Sequence, residues 1–250
     1  MSILTTKRNR MIRSFTKYVI LAFLASTYKT LPFAYLLRFY HHVLITLLWN
    51  RKKYLASGSN NTFGITGKSN KRDLFKWVGI KSYVSPLEVD MYMHKSNSTY
   101  LIDLDIARTK MVCQVFQKLF FNCYFNVHGD FKAQSIANFP YIPAANVQCA
   151  FIRELKPFQK FEIHSRVLAW DKKWLFVLSK FTSNNGRTLH TIAITKYVFK
   201  KKQRITIVPE EYIKECGLWN EEVAAENETN FKLVLNLVSN DGLENICKSF

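Results

Sequence analysis

A change of hydrophobic period at Asn97 constrains this chain more than any other feature of its sequence. From there Tyr100, Leu104, Ala107, Met111, Val115 and Leu119 recur at steps of three and four, the spacing of a helix with one buried face. Ser96, Asn97 and Ser98 stand where such a helix needs caps for its orphan amides, and Asn97 is read as the cap. Just upstream, Tyr83 to Val89 alternates apolar and polar residues, as a half-buried strand does. Asp90 ends that run, and His94 follows in a stretch too polar for a core. A carboxylate, a histidine and a helix N-terminus therefore converge on one short segment, the most chemically loaded place in the sequence.

Beyond the helix, strand-like runs occupy Tyr141 to Glu154, Lys160 to Trp170, Trp174 to Ser183 and Arg187 to Lys200. Asn185-Gly186 between the last two predicts a tight hairpin, because both residues tolerate positive φ. One helix followed by an antiparallel meander is an α+β pattern.

The residues Asp90, His94, Asn97 and Tyr100, followed by the Ala107-Arg108 pair on the helix, form a D-x-x-x-H-x-x-N-x-x-Y pattern. It is similar to that of the hotdog-fold acyl-CoA thioesterases of the 4-hydroxybenzoyl-CoA thioesterase type. The likeness continues through Ile152 to Ile163, Val167 to Val177 and Lys196 to Lys202. It is closest to the eukaryotic membrane-associated branch that includes thioesterase superfamily member six. The resemblance implies a hotdog fold, a curved antiparallel sheet wrapped around one long central helix, and a homodimer whose pocket lies where two domains meet. It implies acyl-CoA or another acyl thioester as substrate, with Asp90 as nucleophile or general base and helix N-terminal amides as the oxyanion site. His94 is the second catalytic candidate, and Met93, Asn97 and Tyr100 are candidate substrate contacts. No cofactor or metal is implied. Two positions depart from the pattern: Met93 replaces a usual glycine, and Ser96 replaces the first Asn of H-x-N-N. These departures keep open an alternative, a non-catalytic hotdog protein that binds acyl groups or acts as a membrane scaffold.

The net charge of +18 suggests nucleic acid until it is located. The first 72 residues hold 13 of the 36 Lys and Arg and none of the 18 Asp and Glu. Charge placed outside the strand-rich region, with no nucleic-acid motif, points instead to a membrane surface or a targeting signal. Tyr18 to Tyr28 and Leu31 to Trp49 are apolar, interrupted at Lys29. Residues 18–49 are therefore expected to associate with a membrane, as a lysine-bearing span or as an interfacial helix. The resemblance favours the endoplasmic reticulum; the acid-free basic start leaves the mitochondrion as an alternative.

The expected division is a basic and apolar segment over 1–50, a polar linker over 51–72, the hotdog domain over 73–210, and an acidic, helical appendage over 211–250. Residues Asp73 to Ile80 are expected only to lead into the domain. Within the linker, G-I-T-G-K-S lacks the first glycine of a P-loop, since Thr62 stands there. The five cysteines show no C-x-x-C spacing and fit free thiols.

Overall fold

The computed structural model describes residues 2–67, 72–202 and 204–235, with side chains from residue 11 onward. Five strands form one antiparallel sheet: β1 (Val78–Tyr83), β2 (Ala144–Phe151), β3 (Lys160–Trp170), β4 (Leu175–Ser183) and β5 (Thr188–Tyr197). Their spatial order is β1-β3-β4-β5-β2. A short ribbon, β6 (Phe199–Lys201) with β7 (Ile205–Ile207), follows. The helices are α1 (Ser2–Thr27), α2 (Ala34–Val43), α3 (Arg51–Ala56), α4 (Asn97–Val115), α5 (Gln117–Phe125), α6 (Pro209–Glu215) and α7 (Glu221–Val234). The sheet curls around α4, which touches β1, β3 and β4. All six residues of the expected stripe, Tyr100 to Leu119, are buried. This is the hotdog arrangement. The β4–β5 turn puts Asn184, Asn185 and Gly186 at positive φ, as the hairpin signal requires.

The strand expected at Tyr83 to Val89 lies earlier. β1 begins in the stretch Asp73 to Ile80, expected only to lead into the domain, and it ends at Tyr83, where the strand is expected to start. Pro86 has no amide to give a ladder. Ser85 and Glu88 instead close a capping box on the 3₁₀ turn Pro86–Glu88. The apolar–polar alternation there comes from a turn that buries Val84 and Glu88, not from a pleat.

Two further expectations are corrected. The stretch after Arg51 is packed and is not a linker. Buried Tyr54 stacks on Phe121 at 4.2 Å, the Thr62 amide donates to Gln117 Oε1 at 2.8 Å, and Ile65 is buried. At Gly67 the amide donates to the Gly217 carbonyl at 2.9 Å, so close that an added Cβ would come within 2.5 Å of that oxygen. The C-terminal helices are not peripheral either. α6 buries Tyr212 and Ile213 completely, with Tyr212 stacked on Phe199 at 4.3 Å. α7 docks on β3, where the Asn227 amide group bridges the backbone N–H and carbonyl of Trp170. The rest of the expected appendage, residues 236–250, lies outside the described residues.

The N-terminal segment bends rather than continuing as one rod. After α1, Tyr28–Thr30 forms a 3₁₀ turn, and Phe33 takes the left-handed conformation (φ 65) that lets α2 set off in a new direction. Met11–Thr30 and Ala34–Ala56 meet at 56°, and among the described residues no single helix is long and apolar enough to cross a membrane. α2 packs along α4. Phe33, Leu37, Tyr40 and Leu44, spaced at helical intervals, form an exposed outward stripe, and the apolar side chains of α1 from Met11 to Leu24 are exposed as well.

Candidate active site

Asp90 and His94 are brought together by a tight loop. Val89 and Lys95 pair antiparallel at its base. The Asp90 amide donates to the His94 carbonyl and the Met93 amide to the Asp90 carbonyl, each at 3.0 Å. Asp90 Oδ1 accepts from the Tyr92 amide at 2.9 Å, and His94 Nδ1 lies 3.5 Å from the same oxygen. The Tyr92 ring stacks on His94. Asp90 and His94 are half-buried, whereas Met91, Tyr92 and Met93 are exposed. Met93 has φ 61, the left-handed region that glycine enters without strain. The methionine thus keeps a glycine-like turn, with its side chain in the open.

The start of α4 differs from the expectation. Ser96, not Asn97, is the N-cap residue, with extended backbone angles (φ −61, ψ 135) and no capping bond from its side chain. Its amide donates to the Glu88 carbonyl at 2.8 Å, and the Lys95 amide to the Leu155 carbonyl at 2.8 Å. Those bonds hold the chain extended through Ser96, so Asn97 becomes the first helical residue, and it is exposed. The Ser96 hydroxyl pairs with that of Ser98 at 3.1 Å. The first amides of α4 are therefore left uncapped by a side chain at the positive end of the helix dipole.

Tyr100 belongs to the core. Its ring lies edge-on to Phe151 and Phe181 at 5.3 and 5.1 Å, and burial pushes its hydroxyl up to about 12. Arg108 is buried too, donating to the hydroxyl of Thr195 on β5 and to Asp105.

Sequence reasoning missed what lies under the loop. Glu88 and Lys95 flank it, and both are buried together with Asp103 of α4 and Lys29. Lys95 Nζ reaches Glu88 Oε1 at 3.0 Å and Asp103 Oδ2 at 2.9 Å. Lys29 Nζ reaches Glu88 Oε2 and Asp103 Oδ2, each at 2.9 Å, and donates to the Tyr83 carbonyl at 2.7 Å. Arg38 Nη2 takes the other Asp103 oxygen at 2.7 Å. Burial pushes the Asp103 carboxyl up, but Lys95, Lys29 and Arg38 outweigh it and hold the group at about 2. The loop is thereby clamped to α4 and to the N-terminal segment at once. One signal was legible. Asp103 follows Tyr100 by three residues and precedes Leu104, so it sits on the apolar stripe, where a carboxylate needs partners.

Among the described residues, no group of His, Cys, Asp and Glu is placed to hold a metal ion. The model of the Thioesterase-like superfamily matches residues 84–234, more than half of the chain. The probable thioesterase YBR096W of Saccharomyces cerevisiae is 39% identical over 218 residues, covering 87% of this chain and 87% of that protein. Thioesterase lcsJ of Purpureocillium lilacinum is 35% identical over 163 residues, 62% of this chain and 52% of that protein. Protein THEM6 of Xenopus laevis is 28% identical over 112 residues, 45% of this chain and 47% of that protein. Among solved structures, a hypothetical protein of Thermus thermophilus is similar at TM-score 0.43 and 15% identity, over 57% of this chain and 99% of that one. With the hotdog architecture and these relatives on record, the chain belongs to the thioesterase-like superfamily.

Proposed function

We propose that the protein hydrolyses acyl-CoA or another acyl thioester at a membrane surface, with Asp90 attacking the thioester carbonyl carbon or deprotonating the water that does. The observation that carries this reading is the Asp90 carboxylate, held in a clamped loop immediately before the uncapped start of α4. As oxygen adds to the carbonyl carbon, charge builds on the carbonyl oxygen, and the free amides and dipole at that helix end stabilise it. The C–S bond then breaks. The thiolate leaves and takes up a proton; in the attack route water then hydrolyses the mixed anhydride and frees Asp90, and in either route the acyl group ends as a free acid. His94, beside Asp90 Oδ1, orients the carboxylate.

In this reading two chains share the site. β2 is one of the two edges of the sheet, with Val147 and Phe151 exposed and Leu101, Ile102 and Ile152 exposed as well. A second copy pairing there would cover the edge.

Residues 18–49 hold the protein at the membrane as an interfacial segment. Eleven residues separate Lys17 from Lys29, about 17 Å of helix against a hydrocarbon core of about 30 Å. Lys29 is fastened inside the domain, which favours lying in the interface over crossing it. The serine and threonine hydroxyls of α1 at Thr16, Ser26 and Thr27 bond back to carbonyls of the same helix, as apolar surroundings demand. The endoplasmic reticulum is the proposed membrane.

The test is Asp90→Asn in the full-length protein, assayed against acyl-CoA esters of graded chain length. Turnover should fall roughly 10²–10⁴-fold while binding and melting temperature stay nearly constant. Equal hydrolysis by the two proteins would sink the assignment of Asp90. The second reading, acyl binding without turnover, is favoured by the Tyr92 amide already occupying Asp90 Oδ1. It predicts no turnover in either form and equal binding in both.

A further inference from the structure

A cavity of about 660 Å³ opens on the side of the sheet opposite β2, between the end of α1, α2, β1 and the middle of α4. Lys29, Arg38, His41, His42, Lys81 and Lys110 line it, with no carboxylate among its lining residues. Its rim carries Tyr28 and Leu37, both exposed. Leu37 belongs to the outward apolar stripe of α2, so the basic cavity borders the surface assigned to the membrane.

The charge is not cancelled from beneath. Lys29, Lys95 and Arg38 converge on Glu88 and Asp103, three cations against two carboxylates. Nη1 of Arg38 is buried without a partner among the described residues. Lys110 donates to the Gly79 carbonyl at 2.8 Å, and burial alone pushes its ammonium down, with no carboxylate opposing. Lys81 is exposed and reaches Glu162 only at 3.6 Å. His42 is pushed down to about 4, first by burial and then by Lys110, His41 and Arg38. A concave site with surplus positive charge selects an anion, and the apolar rim selects one that carries hydrocarbon.

We propose that this cavity binds the phosphate of an anionic membrane lipid, with Arg38, Lys81 and Lys110 around the headgroup and the acyl tails passing Tyr28 and Leu37 into the bilayer. The site rests on the membrane reading of residues 18–49 and is independent of the chemistry assigned to Asp90. Lys81 and Lys110 stand apart from the Asp90 loop, so lipid binding and hydrolysis are separable by mutation.

The experiment is flotation of the full-length protein with vesicles of phosphatidylcholine alone and of phosphatidylcholine containing one-fifth phosphatidylglycerol. The expected result is binding to both, tighter to the second. Lys81→Gln/Lys110→Gln should remove roughly 30-fold of that added affinity, at about 1 kcal/mol per basic residue near the surface. Lys172→Gln/Lys173→Gln, the same charge change at the β3–β4 turn, should leave it intact. Lys81→Gln alone, at an exposed position with no folding consequence, should remove roughly 5-fold. Equal binding to the two vesicle types, or an equal loss in the β3–β4 turn variant, overturns the site while leaving membrane association standing. Failure to float with either vesicle overturns the membrane reading and the site together. Release from the anionic vesicles by millimolar inorganic phosphate or CoA, at constant ionic strength, overturns the lipid assignment in favour of a soluble phosphate ligand.

Discussion

The two ends of the central helix differ in what they bury, because the N-terminal end adds a charge cluster to its apolar contacts. At its C-terminal end and in α5, Met111, Val115, Phe116 and Leu119 sit in an apolar cluster with Trp170, Phe199 and Tyr212. At its N-terminal end Asp103 sits in a charge cluster whose members come from residues 29, 38, 88 and 95. Hydrophobic burial is non-directional, so an apolar end tolerates volume-conserving exchange. A buried ion cluster does not, since loss of one member strands the others. The fold places its flexible requirement far from the Asp90 loop and its strict one directly beneath it.

Substitutions at each end test that contrast. Asp103→Ala leaves three cations facing Glu88 alone and should cost about 3–5 kcal/mol, read as a melting temperature lowered by roughly 10 °C. An unchanged melting temperature would mean that solvent reaches the cluster and the contrast is false. The same residue sets a pH dependence. Its carboxyl titrates at about 2 in the folded chain against an ordinary value of 3.8. Its contribution is therefore complete above pH ~4 and is lost as pH falls from there toward ~2. Wild-type melting temperature should drop across that window, and that of Asp103→Ala should drop less. At the apolar end, Leu119→Ala should cost about 2–5 kcal/mol through its cavity, with the acid sensitivity of the wild type preserved in urea titrations. The smallest effect is expected in the loop. Met93→Gly relieves a left-handed conformation worth about 1–2 kcal/mol and gives back about 1 kcal/mol in chain entropy. Stability should thus rise by no more than about 1 kcal/mol, and a loss above that size would show that the exposed methionine has a partner.

What the sequence revealed follows the same division. The α4 stripe was legible because apolar spacing needs no knowledge of partners, and the β4–β5 hairpin because Asn185-Gly186 reports its own backbone angles. The charge cluster was not legible, because Lys29 and Asp103 are 74 residues apart. On its own, Lys29 reads as an interruption in an apolar run. The Asp90–His94 pairing was legible by spacing, whereas the cap was misplaced by one residue because Glu88 and Leu155 carbonyls, invisible in a local window, hold Lys95 and Ser96 extended. Polar composition misled over residues 51–67. Their Asn, Thr and Gly residues bond to partners such as buried Gln117 and the Gly217 carbonyl, and Tyr54 and Ile65 supply the burial.

The bend at Lys29 also bears on the order in which the protein is made. Synthesis runs from the N-terminus at about 5–20 residues per second, so Lys29 precedes Asp103 from the ribosome by roughly 4–15 s. During that interval its ammonium has none of its native carboxylates, and desolvating it unpaired is unfavourable. A nascent α1 that meets a bilayer early therefore keeps its lysine end in water until the domain arrives to enclose it. In the interfacial reading proposed above, the charge that later becomes a buried bond first acts as a depth gauge.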